Sequence, residues 1–297
     1  MINMKQLYKE FKFQSAFLLV LSLVFISFSC MQKRDASKSP PGYDLSKPQK
    51  FVMPASLTEI SGHTFYKGDP SVVYAQEDES GKVYFFKPGD KNISSTQFAG
   101  PGDYEDIAIC REQVIMLRSD GVLFILPLAQ VKAGKVTSVK TIGNILPKGE
   151  YEGMYADEST ATIYIITKNS KADKKMNITA GYKFNLLAGN NVKPAGEFSI
   201  SNEEVATLSG EKKKKKARFM PSALAKNPLT NEWYILSSIN KMIVVTDNNF
   251  KVKDIYPLTR SQFPQPEGIA FDRQGNLYIS NEGGNGSGTL LKYVYNK

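Results

Sequence analysis

The residues best placed to do chemistry are four glutamates, each at or near the head of a short, mostly apolar word. The words are EISGHTF (59–65), YEDIAIC (104–110), YEGMYAD (151–157) and PEGIAFD (266–272), and a fifth, MPSALAK (220–226), has Ser222 in place of the glutamate. Brought together, Glu59, Glu105, Glu152 and Glu267 would crowd like charges, which raise one another's pKa unless a cation neutralises them. Hard oxygen donors of this kind suit Ca²⁺ or Mg²⁺. A Ca²⁺ site is therefore one expectation. The other is that each glutamate caps backbone amides or pairs with a base such as Lys168, Arg118 or Arg273. Asp69, Asp78, Asp157 and Asn281 are further possible donors, and His63, Lys168, Asn281 and Glu282 are expected around the same place. His63 is the sole histidine, so no His-containing triad or His-rich zinc site can be assembled elsewhere. Near the glutamates it is either a general base or a partly exposed strand residue. Neither a GxSxG elbow nor a phosphate loop occurs, and the glycine-rich stretch 283–288 joins two strands, as a hairpin loop does.

These words need a scaffold that repeats. Beyond residue 50 the chain runs in short stretches rich in Val, Ile, Tyr and Phe, separated by Gly, Asp, Asn and Pro, with no long amphipathic helix pattern. Glu59, Glu105 and Glu152 are spaced by 46 and 47 residues, and Ser222 and Glu267 by 45. A four-stranded propeller blade takes ~40–50 residues. The interval from Glu152 to Ser222 is 70, and a loop insertion over residues 203–217, holding the lysine run, accounts for the excess. The fold class that follows is all-β, a five-bladed β-propeller, with six blades as the alternative if the long interval hides one. The last unit lacks a fourth strand, and FVMPASL (51–57) has no other place, so the N-terminal strand is expected to close the last blade and remove an open edge. In a propeller the first strand of each blade lines the central channel, which would bring the glutamates to one mouth of it.

The first thirty residues address the chain. Lys5, Lys9 and Lys12 precede an apolar run of about 13 residues from Ala16 to Phe28, shorter than the roughly 20 a spanning helix needs. That is the anatomy of an export signal. Cys30 follows directly, as in the lipobox of bacterial lipoproteins. The expected organisation is a signal peptide over 1–29, a lipidated Cys30 with a flexible tether over 30–50, and a propeller domain over 51–297. The protein would face the periplasm or cell exterior, held to a membrane by its lipid. Cys110, in an apolar alternation, is expected to be a buried, inert thiol. The formal charge is +9, but Lys212–Lys216 supply five charges and residues 1–29 a net two. With no aromatic interleaving of the run, nucleic acid is not an expected partner. A solvated loop is the expected state of that run, with anionic lipid headgroups as the alternative contact.

Several further marks accompany the words: GDYED (102–106), SDG (119–121), Thr167-Lys168, PSA (221–223), GNLY (275–278) and SNE (280–282). In this order and spacing the chain resembles the SdiA-regulated (YjiK-like) family of exported bacterial propellers, from about Leu57 to Tyr295. The resemblance implies fold and address rather than an activity. More distantly, the Glu-Gly word is similar to that of propeller lactonases, in which a divalent ion polarises a carbonyl and activates water. The functional expectation is a monomer that binds a small ligand or a cation at the channel. A cation-dependent lactonase- or phosphoesterase-like hydrolase is the rival, and a scaffold for another envelope protein is a third possibility.

Overall fold

Alternating and wholly apolar strands of this chain assemble into five separate four-stranded antiparallel sheets in the computed structural model, which describes residues 38–210 and 218–297. Blade 1 comprises β2 (Ile60–Phe65), β3 (Val73–Glu77), β4 (Lys82–Phe86) and β5 (Ser94–Gln97). Blade 2 comprises β6 (Tyr104–Cys110), β7 (Gln113–Arg118), β8 (Leu123–Pro127) and β9 (Lys140–Ile142). Blade 3 comprises β10 (Glu150–Asp157), β11 (Thr162–Asn169), β12 (Ile178–Leu186) and β13 (Val192–Ser201). Blade 4 comprises β14 (Ala223–Lys226), β15 (Trp233–Ser237), β16 (Met242–Thr246) and β17 (Val252–Pro257). Blade 5 is β18 (Pro266–Phe271), β19 (Leu277–Asn281), β20 (Thr289–Tyr293) and, outermost, β1 (Gln49–Val52).

The five inner strands touch in sequence, β2 with β6, β6 with β10, β10 with β14, β14 with β18, and β18 with β2, so the ring closes. Five apolar clusters fill the five interfaces between neighbouring blades. This explains why β15, β16 and β19 are buried at every residue: each is covered on both faces by adjacent blades, and a strand covered on both faces loses the polar alternation of a half-exposed one. The cluster between blades 3 and 4 is aromatic, with the Phe198 and Phe250 rings stacked at 3.8 Å and Trp233 at 4.8 Å from Phe250.

The closing strand is where the pattern of the last unit placed it. Gln49 to Val52 pair with Lys292 to Thr289, slightly earlier than residues 51–57, of which Ala55–Leu57 form a 3₁₀ turn. Among the described residues the long interval holds no sixth blade. It is taken up by the extended β12–β13 hairpin and by two short helices, Lys171–Met176 and Asn202–Leu208. The segment expected to be a loop from residue 203 therefore begins as a helix, capped by Ser201, whose Oγ accepts from Glu204 N at 3.2 Å. Residues 211–217, with the lysine run, lie outside the described residues, as do the signal segment and Cys30.

Residues 39–48 correct the flexible tether expected over 30–50. Tyr43 and Leu45 are 7% and 1% exposed and belong to the core between blades 4 and 5. The Tyr43 hydroxyl donates to Gly275 O at 2.6 Å and accepts from Asn227 Nδ2 at 3.0 Å. The proline and lysine content suggested a linker. Two apolar side chains with a place to be buried outweigh it.

Candidate functional site

Strand registers define equivalent positions around the channel. In blade 2, Tyr104 pairs with Arg118 and Asp106 with Leu117, leaving Glu105 as the extra residue of a bulge. Glu152 is the extra residue between Tyr151 and Gly153, and Glu267 that between Pro266 and Gly268. In blade 4, Ser222 N donates to Leu236 O just ahead of the Ala223–Leu236 pair. A bulge re-aims a side chain and sharpens the local bend, and here it turns each glutamate toward the mouth. The next residue faces the neighbouring blade at close range. A Cβ on Gly268 would stand 2.5 Å from Ser61 O, and one on Gly153 3.0 Å from Ala223 Cα. Glu-Gly thus reads as one residue for the mouth and one for ring closure.

The same register corrects the place of Glu59. In blade 1, Ile60 pairs with Glu77 and His63 with Ala75, so the position equivalent to Glu105 is Ser61. Glu59 is an exposed turn residue ahead of the strand. Its charge still reaches the mouth, contributing to the raised pKa of Asp78 and Glu282. The ring at this level is therefore Ser61, Glu105, Glu152, Ser222 and Glu267, with the bulge itself present in blades 1, 2, 3 and 5.

A second ring, which the repeated words did not announce, comes from the residues at or just beyond the ends of the second strands: Asp78, Ser119, Lys168, Ser238 and Glu282, each one residue beyond Glu77, Arg118, Thr167, Ser237 and Asn281. Lys168 pairs with Glu152 and lies 3.5 Å from Glu150. Ser222 and Ser238 hydrogen-bond Glu267. The other carboxylates have less support. Burial, then Asp103, pushes Glu105 up to about 8. Burial, then Glu267, pushes Glu282 up to about 8, with Gln265 Nε2 as its hydrogen-bond donor. Burial raises Asp78 to about 6 and also raises Glu267. Just beneath lie buried polar atoms with no hydrogen-bond partner: both amide atoms of Gln76 and of Asn281, Thr167 Oγ1, and Asp78 Oδ1. Such atoms are costly without a partner. Asp78, Lys168, Asn281 and Glu282 were expected here from sequence; Ser119, Ser238, Gln76 and Thr167 were not, although the second strand of every blade runs into a polar pair: Glu77-Asp78, Arg118-Ser119, Thr167-Lys168, Ser237-Ser238 and Asn281-Glu282.

Among the described residues no three His, Cys, Asp or Glu side chains stand close enough to hold one metal ion. Asp69 and Asp157 cap their own turns, accepting from Ser71 N at 3.0 Å and Ser159 N at 2.9 Å. Asp106, in the glycine position of blade 2, bridges two blades by accepting from Ile107 N and Met154 N at 2.8 and 2.7 Å. Its complete burial raises its pKa well above the carboxylate range.

His63 does not stand at the glutamate mouth, where it was expected. It is 2% exposed and lines the cavity at the opposite end of the channel. Burial pushes its pKa down to about 3, so the imidazole is neutral. Nδ1 lies 3.2 Å from Ser280 Oγ. Cys110 is buried and free, and burial raises its thiol to about 12, which keeps it protonated and inert.

The family described as SdiA-regulated matches residues 37–285, nearly all of the propeller. The chain belongs to the SdiA-regulated family. No curated protein matches it in sequence. The fold of this SdiA-regulated protein is shared with solved structures of low identity. The Myxococcus xanthus glutaminyl cyclase is 10% identical with a TM-score of 0.53, over 84% of this chain and 96% of that one. A luciferin-regenerating enzyme is 11% identical with a TM-score of 0.51, over 84% and 95%. At such identities the likeness is one of fold.

Proposed function

We propose that this SdiA-regulated protein is an exported, lipid-anchored binding propeller whose glutamate-lined mouth accepts a positively charged ligand. The observation that carries the proposal is the charge balance there. Glu105, Glu152, Glu267, Glu282 and Asp78 converge, Lys168 is spent on Glu152, and the others are driven toward protonation. Carboxylates in that condition gain from any cation that replaces the proton. Their spacing disfavours a bare ion held by three of them, so the chemistry fits a cation with a shell of its own: hydrated Ca²⁺ or an organic polyamine. The unpartnered amides of Gln76 and Asn281 and the Thr167 hydroxyl would then serve water or ligand donors and acceptors. Export and lipid attachment rest on the basic, apolar and cysteine pattern ending at Cys30. Loss of membrane association in Cys30→Ala tests that part.

The binding proposal is tested by melting temperature with Ca²⁺, Mg²⁺ or spermidine, on the wild-type chain and on Glu105→Gln/Glu267→Gln. Ca²⁺ or spermidine is expected to raise the wild-type value and leave the double variant unmoved, and the affinity is expected to grow from pH 6 to pH 8 as protons leave. No response in the wild type, or an equal response in the variant, refutes it. Lactone or phosphoester hydrolysis that depends on Ca²⁺ and is lost in the variant would replace binding with catalysis.

A further inference from the structure

The far end of the channel is built differently and holds a cavity of about 370 Å³, within the roughly 300–1,000 Å³ typical of small-molecule sites. Its walls are the continuations of the same five strands. By register, one ring consists of His63, Ile107, Met154, Leu224 and Ile269. Four blades place an apolar side chain there and blade 1 places a histidine. Its Nε2 has no hydrogen-bond partner although the residue is 98% buried. Blade 5 holds the imidazole through Ser280 Oγ at Nδ1 and the Tyr278 backbone, and the other four blades place no polar side chain at this level.

At the rim the acids are already used. Asp157 accepts from Ser159 N and Oγ, and Asp272 from Gln274 N and Asn276 N. Glu158 accepts from Arg111 N at 2.8 Å. The cations are less engaged. Lys67 pairs with Glu112 at 3.5 Å, but among the described residues neither Lys226 nor Arg273 has a carboxylate within ion-pair distance. Lys226 also breaks its ring, standing where the other blades place Phe65, Ile109, Ala156 and Phe271. Its ammonium sits 5.6 Å from the Trp233 ring centroid.

We propose that this cavity is a second site, for a small amphipathic anion. The apolar body lies between Ile107, Leu224 and Ile269, the anionic head meets Lys226 and Arg273 at the rim, and His63 Nε2 supplies the one polar contact at depth. The two ends of the channel then have opposite preferences, cation at the glutamate mouth and anion here.

The test is fluorescence titration of the full chain with anilinonaphthalenesulfonate, followed by displacement with decanoate, decanol and decylammonium, all below their aggregation concentrations. One saturable site is expected, with decanoate displacing best and decylammonium least. Thr64→Phe, which fills the cavity from a partly exposed wall position, is expected to weaken probe binding more than tenfold. Ala156→Phe serves as the second plug should Thr64→Phe fail to fold. Lys226→Gln is expected to weaken decanoate about tenfold, the size of one charge-assisted contact, and decanol less than twofold, while the cation response at the other mouth persists. The proposal is overturned if the probe binds the folded plug variant as it binds wild type, if decylammonium displaces as well as decanoate, or if Lys226→Gln weakens decanol and decanoate alike.

Discussion

The two ends of the channel are made by the same five strands, and they differ because four of the five carry one inserted residue. At the bulge position the chain presents Glu105, Glu152 and Glu267 to the mouth; beyond it, the pleat returns Ile107, Met154, Leu224 and Ile269 to apolar surroundings. A strand without the extra residue keeps strict alternation and cannot aim a carboxylate at one end without disturbing its packing at the other. The difference teaches that polarity along the axis is set by backbone register more than by composition.

The largest effect is expected where ring closure itself is attacked. Gly268→Val places a Cβ against Ser61 O, and overpacking of this kind costs about 2–3 kcal/mol. Thermal denaturation should show a large loss, with both ends of the channel affected together. Next, Lys168→Met leaves the nearly buried Glu152 without its cation, at a cost of about 3 kcal/mol or less given the partial exposure of the lysine. Double-mutant coupling with Glu152→Gln should recover most of it, and a lack of coupling would separate the pair from mouth stability.

A smaller effect divides the ends by pH. Glu105 and Glu282 have folded pKa values near 8, above the unfolded carboxylate value. The folded state therefore holds more protons, and stability is lost as pH rises between about 4.5 and 8. Glu105→Gln should flatten that fall in a melting-temperature series. His63 has the opposite sign. Its folded pKa, near 3, lies below the unfolded value of 6.5, so stability is lost as pH falls below about 6.5. His63→Leu, which gives blade 1 the apolar residue of the other four, should raise the melting temperature at pH 5 and change it little at pH 7.5. An equal gain at both values would assign the benefit to packing instead.

The period of the repeats, the five blades and the closing strand were legible because each unit begins with the same short word and the last one lacks a partner for β20. The candidate mouth was legible only in part. Matching glutamate to glutamate set Glu59 against Glu105, whereas matching the glycine that follows would have set Ser61-Gly62 beside Glu152-Gly153 and Glu267-Gly268. Bulge position is decided by hydrogen bonds to the second strand, and residue identity shows it only through the glycine that ring closure needs. His63 was placed at the wrong end for the same reason: a shift of two residues along an inner strand moves a side chain past the bulge. Tyr43 and Leu45 were hidden by neighbours whose composition is that of a linker.

Pairing of residues 49–52 with 289–292 carries a kinetic consequence. β1, the outer strand of blade 5, has no partner until residues 289–292 have been synthesised, so the circle cannot be sealed before they emerge. Contacts so distant in sequence form late and slowly, and the ring stays open until they do.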